Sequence, residues 1–164
     1  MSLHQKVELA FVRLIKDRAP DSGLHLYTGH DDDKNIKPCV IVHASNGSVE
    51  EPASSGNRFI DVEVTIKSLI EPCETPTPEL PVDAVALHAS NVDAVQNALL
   101  EVEDGTDPHT ALDLLAERLH TQVEDFYVFA PVEDVGTDHT VEARCFCDTL
   151  RFRIYCCELD IQPA

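Results

Sequence analysis

Four of the six cysteines lie in one short segment near the C-terminal end, CFCDTLRFRIYCC, from Cys145 to Cys157. Thiolate sulfur is the usual ligand of structural zinc, so this density raises the question of a metal site. Successive side chains of a strand point to opposite faces, which places Cys145 and Cys147 on one face and Cys156 on the other. The two cysteine pairs lie too far apart along a strand to converge on one ion at about 2.3 Å. We therefore predict a core strand in which cysteine fills small apolar volumes, with Cys145 and Cys147 plus two outside ligands as the alternative metal site.

A second group that offers metal ligands is the acidic loop GHDDDKNIKP. His30, Asp31, Asp32 and Asp33 offer an imidazole and three carboxylates to a divalent cation. A calcium loop of the EF-hand type places its ligands at alternate positions, with a glycine for the turn and a late glutamate, and this loop has none of that spacing. The pattern favours a solvated loop.

The other histidines give no metal motif at the level of sequence. His43 falls on a predicted strand and His88 and His120 on predicted helices, each without a metal-ligand partner nearby in the chain. The sequence contains no HExxH motif, no nucleophile elbow and no phosphate-binding glycine loop. We therefore predict a protein that is not an enzyme, with no catalytic, cofactor-binding or metal-binding residue.

Charged residues alternate along two predicted strands with the same spacing. Asp61 and Glu63 lie on one strand, and Arg151 and Arg153 on the other, so the two sets can pair if the strands are neighbours. One interpretation is pairing within the chain, worth a few tenths of a kcal/mol per exposed pair. The other is that this face meets another subunit, and we take these four residues as candidate assembly residues.

Composition narrows the class of protein. The chain has 164 residues, a length typical of one domain, and 30 acidic against 12 basic residues give a formal net charge of -18. The sequence has no Lys and Arg cluster of the kind that holds nucleic acid tightly. A hydrophobic content of 43% with clear periodicity indicates a folded chain. Because no apolar run is long enough to cross a bilayer and no secretory signal is recognisable, we expect a reducing, cytosolic compartment in which the cysteines stay thiols.

The first half of the chain predicts a helix followed by strands. Ser2 and Gln5 form a capping-box pattern at the start of a helix that ends before Pro20. Its predicted core face consists of Leu3, Val7, Phe11, Leu14 and Ile15. Strands are predicted at 24–28, from Cys39 and over 57–69, and the last of these alternates strictly between apolar and polar residues. A long hairpin loop, 45–57, separates the second and third strands and contains Val49, Glu50 and Glu51, which we also take as candidate assembly residues.

The second half predicts two helices and a closing pair of strands. A Pro-rich crossover over 71–81 leads into a long helix. Its predicted apolar stripe consists of Val85, Ala89, Val92, Val95 or Gln96, and Leu99. The next helix is predicted with Asp107 as its N-cap, Pro108 at its first position, and three leucines facing inward. These are Leu112, Leu115 and Leu119. A strand FYVFAPV, a turn in EDVGTDH and the cysteine-rich strand complete the chain.

This order of elements resembles that of the tail-terminator or tail-completion proteins at the head-to-tail junction of long-tailed bacteriophages. The segments that carry the resemblance are IKPCVIVHAS, NRFIDVEVTIKS, NVDAVQNALLEV and TLRFRIYCCEL. It implies a single α+β domain over 1–164, a mainly antiparallel sheet with an N-terminal helix and a central helix pair packed on one face. It further implies a ring, typically of six copies, which caps the tail tube in the virion, receives the head connector and lets DNA pass through its lumen.

Three other interpretations stay open at this level. The chain can be another neck or head-completion protein, because its crossover and second helix make it longer than a minimal terminator and cysteines occupy the closing strand where aromatic residues are expected. It can be a small cytosolic metal-binding module or enzyme that uses the acidic loop or the Cys145 and Cys147 pair. It can also be an acidic adaptor for a basic partner.

Overall fold

The fold is α+β, as the sequence predicts. The computed structural model describes residues 1–30, 34–46, 57–70, 80–102, 107, 110–142 and 144–159. Its elements are α1 (Leu3–Arg18), β1 (His25–Thr28), β2 (Cys39–Asn46), β3 (Arg58–Leu69), α2 (Leu80–Leu100), α3 (Thr110–His120), β4 (Phe126–Glu142) and β5 (Cys145–Glu158). The strands form one sheet in the order β1-β2-β3-β5-β4, in which β1 runs parallel to β2 and the other neighbours are antiparallel.

Helix α1 begins at the predicted capping box. The Ser2 hydroxyl accepts from the backbone N–H of Gln5 at 3.2 Å, and Gln5 Oε1 accepts from the backbone N–H of Ser2 at 2.9 Å. These contacts satisfy two amides that the first turn of the helix leaves without partners. All five residues of the predicted core face are buried, so the sequence prediction for α1 is confirmed.

The sheet has two faces that differ in composition. The inner face, which packs against the helices, carries alternate residues of the central strands: Ile60, Val62, Val64 and Ile66 on β3, and Leu150, Phe152, Ile154 and Cys156 on β5. The opposite, outer face carries the residues between them, among which are the four charged residues singled out above. The predicted alternation of β3 and β5 is therefore confirmed, and the inner face with α1, α2 and α3 forms one hydrophobic core.

The predicted turn in EDVGTDH is wrong, because β4 runs through it to Glu142. Strand β4 pairs with β5 at Glu133 and Asp134 and again from Gly136 to Glu142, with register shifts between Phe129 and Glu133 and between Asp134 and Gly136. Gly136 has a φ of 132°, a backbone conformation that favours glycine. Pairing with a long partner strand therefore outweighs local turn chemistry here.

The apolar stripe predicted for α2 is wrong in its first half. Val85 is 53% exposed, whereas His88 and Asn91 are 5% and 6% exposed. The buried positions run through Ala84, His88, Asn91, Val95, Ala98 and Leu99, so the prediction holds only for the last turns. Polar contacts from His88 and Asn91 to the sheet, described below, account for the difference.

The remaining boundaries agree in part with the sequence predictions. Leu115 and Leu119 of α3 are fully buried and Leu112 is half-buried. The backbone N–H of Thr110 donates to the Asp107 carbonyl at 2.9 Å. Helix α2 starts at Leu80 and so includes Pro81, which the sequence assigned to the crossover; proline is tolerated in a first helical turn.

Several sequence predictions fall outside the described residues. These are the acidic residues Asp31, Asp32 and Asp33, most of the loop over 45–57 with Val49, Glu50 and Glu51, most of the crossover, and Pro108. None of the described helices has the length and apolar character that a membrane span requires.

Candidate functional site

The outer face carries two rows of ion pairs that cross strands β3, β5 and β4. In the first row, Arg153 of β5 lies opposite Asp61 of β3, and its Nε donates to Asp61 Oδ1 at 2.8 Å. Glu133 of β4 lies on the other side, with Oε2 3.9 Å from Nη1 of Arg153. The hydrogen bond and the charge of Asp61 raise the pKa of the Arg153 guanidinium above its ordinary value. Arg153 thus has an acid on both sides.

The second row has the same arrangement, two residues further along β3 and two residues earlier on β5. Arg151 lies opposite Glu63, with Nε 3.6 Å from Oε1, and also contacts the carboxylate of Asp138. The predicted pairing of Asp61 and Glu63 with Arg153 and Arg151 is therefore confirmed as cross-strand contact within the chain. Their role in assembly stays a prediction.

Beside the ion-pair rows lies a row of aromatic side chains. Phe59, Tyr155 and Phe129 face one another across β3, β5 and β4, with ring centroids 4.6 Å and 5.0 Å apart. Tyr127 continues the row at 4.9 Å from Phe129. Phe59 and Tyr127 are 40% and 39% exposed. Together these four rings and the two ion-pair rows make up what we call the outer patch.

A second polar group lies on the inner face, where α2 meets the C-terminal end of β4 and the N-terminal end of β5. His139 of β4 and Asp148 of β5 are directly opposite each other in the strand register, and both side chains lie on the inner side. His88 reaches the same point from α2. We call these three residues the His-Asp cluster.

Hydrogen bonds join the cluster to the core. Asp148 Oδ1 contacts His88 Nε2 at 2.9 Å and also contacts His139 Nδ1. The other nitrogen of His88, Nδ1, lies 2.8 Å from the hydroxyl of Ser68, which accepts from Asn91 Nδ2 at 3.0 Å. His88, Ser68 and Asn91 are all buried, so this network fixes the orientation of the His88 ring.

The cluster perturbs the ionisation of its carboxylate. Burial alone would raise the pKa of Asp148, but the hydrogen bonds from His139 and His88, with the positive charge of these rings when protonated, outweigh it. The pKa of Asp148 therefore lies below its usual value, and this side chain is an anion at neutral pH.

The cluster opens into a pocket of about 300 Å³. His88, His139 and Asp148 line it on one side, and Asp93 also contributes to the wall. Its apolar lining consists of Val85, Ala89, Val92 and Phe146. The exposed residues of the α2 stripe predicted from sequence are therefore pocket residues rather than core residues.

The chemistry open to the cluster follows from which atoms reach the pocket. Ser68, His88 and Asp148 are connected in the order of a hydrolase triad, but Ser68 is 2% exposed and does not line the pocket. A nucleophile must reach its substrate, so we exclude Ser68 from that role. The polar side chains that line the pocket are imidazoles and carboxylates, which are metal ligands or proton carriers.

The other residues considered in the sequence do not form such a group among the described residues. Cys145 and Cys147 are buried, and no group of three metal-ligand side chains among the described residues includes either of them. The ring of His30 stacks on that of His43 at 4.4 Å, while the His43 ring lies 3.6 Å from the carboxylate of Glu8. The ring of His120, for which the sequence predicts no nearby metal-ligand partner, stacks on that of Tyr127 with centroids 4.8 Å apart.

The sequence shows no metal-ligand partner for His88 nearby in the chain, and the structure brings two potential ligands to it from distant positions. Its partners, His139 and Asp148, lie about 50 and 60 positions further along the chain, so no local motif joins them. One signal was available: a histidine and an asparagine at positions 88 and 91 lie three apart on a helix and thus share a face. The prediction of an apolar stripe through Val85 and Val92 placed a different face of α2 toward the core and so left these two residues outside it.

Comparisons with known proteins add no family to this description. No protein-family model matches the chain, and no curated protein matches it.

Proposed function

We propose that this chain is a structural subunit that assembles with copies of itself into a ring. More particularly, we propose that the ring, of about six copies, belongs to the head-to-tail junction of a long-tailed bacteriophage. There it would cap the tail tube, receive the head connector or neck proteins and let DNA pass without binding it. The α+β fold, with its helices on one face of a mainly antiparallel sheet, agrees with what the sequence resemblance implies.

The observation that carries the proposal is the outer patch. Exposed aromatic side chains that adjoin ordered charged residues are typical of protein interfaces, whose cores are enriched in Tyr, Phe and Arg. Phe59 and Tyr127 expose about two fifths of their surface although three β-strands already support the row. A partner that covers these rings gains hydrophobic free energy of about 25 cal/mol per Å² buried.

Charge explains why a second copy suits the patch. A chain with 30 acidic and 12 basic residues presents an acidic surface in most directions, so two copies repel each other unless a cation lies at the seam. Arg151 and Arg153 supply such cations and already lie between carboxylates on both sides. A carboxylate from a neighbouring copy can replace one of these partners, so that the arginine stays paired while the displaced acid, which is exposed, is hydrated.

An acidic ring also fits the passage of DNA. Phosphate groups are repelled by an acidic lumen, so a DNA duplex slides through without being held. The loop that contains Val49, Glu50 and Glu51 is the segment that we propose to contact the tail tube or a neighbouring copy. Deletion of residues 47–56 is expected to leave the fold intact and to impair ring formation or attachment to tubes.

The test is the native mass of the untagged protein by light scattering, alone and after incubation with tail tubes. Wild type is expected as a ring of about six subunits. Arg151→Glu with Arg153→Glu is expected as a monomer, because the seam then holds only acids. The control, Lys16→Glu with Arg18→Glu, makes the same change in net charge at exposed positions of α1 and is expected to keep the ring.

Two results contradict the proposal. Rings of unchanged stability in the arginine variant would show that the outer patch is not the seam. A wild-type monomer that also fails to assemble on tail tubes would remove the ring itself. Circular dichroism of each variant separates lost assembly from lost folding.

A further inference from the structure

We propose that His88, His139 and Asp148 bind one divalent transition-metal ion of the zinc type, with a coordination position open to the pocket. This site lies on the inner face and does not depend on the proposed assembly through the outer patch. It also differs from the two metal sites considered from sequence, which used the acidic loop and the paired cysteines.

The geometry brings three ligand atoms together before any ion binds. One nitrogen of each histidine and one carboxylate oxygen all lie within 4.8 Å of one another. Ligands of a tetrahedral zinc ion, at about 2.0–2.1 Å from the metal, are separated from each other by about 3.4 Å. The His139 side chain is 56% exposed and can move by the remaining distance without disturbing the core.

The types of ligand select the class of metal. Two imidazole nitrogens and one carboxylate suit Zn²⁺, Co²⁺ or Ni²⁺, whereas Ca²⁺ and Mg²⁺ prefer a shell of oxygen ligands. Three protein ligands leave one position of a tetrahedral ion free, as in zinc sites that act on a bound water or small ligand. All three ligands line the pocket of about 300 Å³, with Phe146 in its wall, so we place the free position on the pocket side.

The core network orients the buried ligand in the way that metal sites require. A metal-bound histidine usually donates its other ring N–H to a fixed partner, which sets the tautomer. Ser68 is placed to accept from His88 Nδ1 at 2.8 Å, and Asn91 in turn donates to Ser68. The serine hydroxyl can donate or accept, so the same contact serves His88 when Nε2 carries a proton and when Nε2 binds an ion.

The first experiment is titration of the chelator-treated full chain with Co²⁺. We expect one ion per chain, with the visible absorption of tetrahedral Co²⁺ and without the strong near-ultraviolet band of thiolate ligation. Zn²⁺ is expected to displace Co²⁺ and abolish the visible spectrum. A thiolate band would instead place the ion on cysteines and overturn the proposal.

Three variants identify the ligands. His139→Ala and Asp148→Asn are each expected to lower the affinity for Co²⁺ at least about 100-fold, beyond the 10–100-fold typical of outer-shell changes. His139 is exposed, so its variant is expected to fold as wild type does. The control is His25→Ala, which removes an exposed strand histidine at the opposite edge of the sheet and is expected to bind like wild type.

Equal affinity of wild type and His139→Ala would overturn the proposal, and so would a wild-type protein that binds no ion. Light scattering of the same samples keeps this result apart from the proposed function. Loss of metal with unchanged assembly counts against the metal site alone, whereas loss of assembly with retained metal counts against the ring alone.

Discussion

Strands β4 and β5 carry charged groups on both faces, and the partners of those groups differ between the two faces. On the inner face, the Asp148 carboxylate receives two histidines under the cover of α2. On the outer face, Arg151 and Arg153 lie between acids that remain 34–62% exposed. Parity along β5 therefore decides which face a charged side chain lies on and which partners it meets.

The two faces differ in how easily their charged side chains can exchange partners. Solvent screens the outer rows, so each pair contributes little to stability and its partners can be exchanged for those of another molecule. In the inner group, the His88 side chain is 6% exposed and that of Asp148 24%, and hydrogen bonds join His88 to Asp148 and to Ser68 of the core, so these contacts are held in place. The side chain of His139, in contrast, is 56% exposed. This difference is the reason why we propose assembly through the outer face and ligand binding on the inner face.

The largest difference between the two faces is expected in the rates at which the adjacent cysteines Cys156 and Cys157 are alkylated. Cys156 lies on the inner face and is fully buried, and burial, with a smaller effect of Cys157, raises its pKa to about 12. At pH 8 only about 0.01% of such a thiol is thiolate, the reactive form. Cys157 is half-buried on the outer face. We expect iodoacetamide to modify Cys157 at least about 1,000-fold faster than Cys156.

Mass spectrometry of peptides after timed alkylation measures both rates. Raising the pH toward 12 should accelerate the Cys156 reaction relative to that of Cys157, because its thiolate fraction grows about tenfold per pH unit. Comparable rates at pH 8 would show that β5 does not keep its inner face closed. Unfolding in urea is the positive control, since both thiols are then accessible.

A smaller effect, on the free energy of unfolding, is expected when His88, the residue that links Asp148 to Ser68, is removed. His88→Ala removes a buried ring and takes one hydrogen-bond partner each from Asp148 and Ser68, which we expect to lower the free energy of unfolding by about 3 kcal/mol. The measurement is urea denaturation in the presence of chelator. The matched change His25→Ala, at an exposed position, should alter stability by less than about 0.5 kcal/mol. Similar values for both variants would contradict the described network.

Much of the fold followed from local patterns in the sequence. The capping box and apolar face of α1, the alternation of β3 and β5, and the pairing of Asp61 with Arg153 depend on neighbours along the chain or on strand parity. Strand parity predicted the ion-pair rows of the outer face, because side chains of residues that lie opposite each other on neighbouring strands point to the same face of the sheet. These features are the ones that the structure confirms.

The features that the sequence did not predict depend on tertiary contact. Residues 133–139 contain turn-forming types, yet pairing with β5 holds them in a strand. In α2, His88 and Asn91 face the core in place of Val85 and Ala89, because Ser68 and Asp148 offer them hydrogen bonds there. No periodicity rule places a polar residue inward when its partners are on other elements.

The smallest effect is expected on the outer face, where Arg153→Ala should lower the free energy of unfolding by about 1 kcal/mol or less. Arg153 donates to Asp61 at good geometry, but both side chains are partly exposed and water replaces the lost contact. The effect should shrink as salt rises from 0.05 M to 1 M, because the Debye length falls to about 3 Å. A loss as large as that of His88→Ala would mean that the outer rows are as enclosed as the inner cluster. The difference between the two faces would then come from the type of residue rather than from its surroundings, and the arginines would be poor candidates for a seam that exchanges partners.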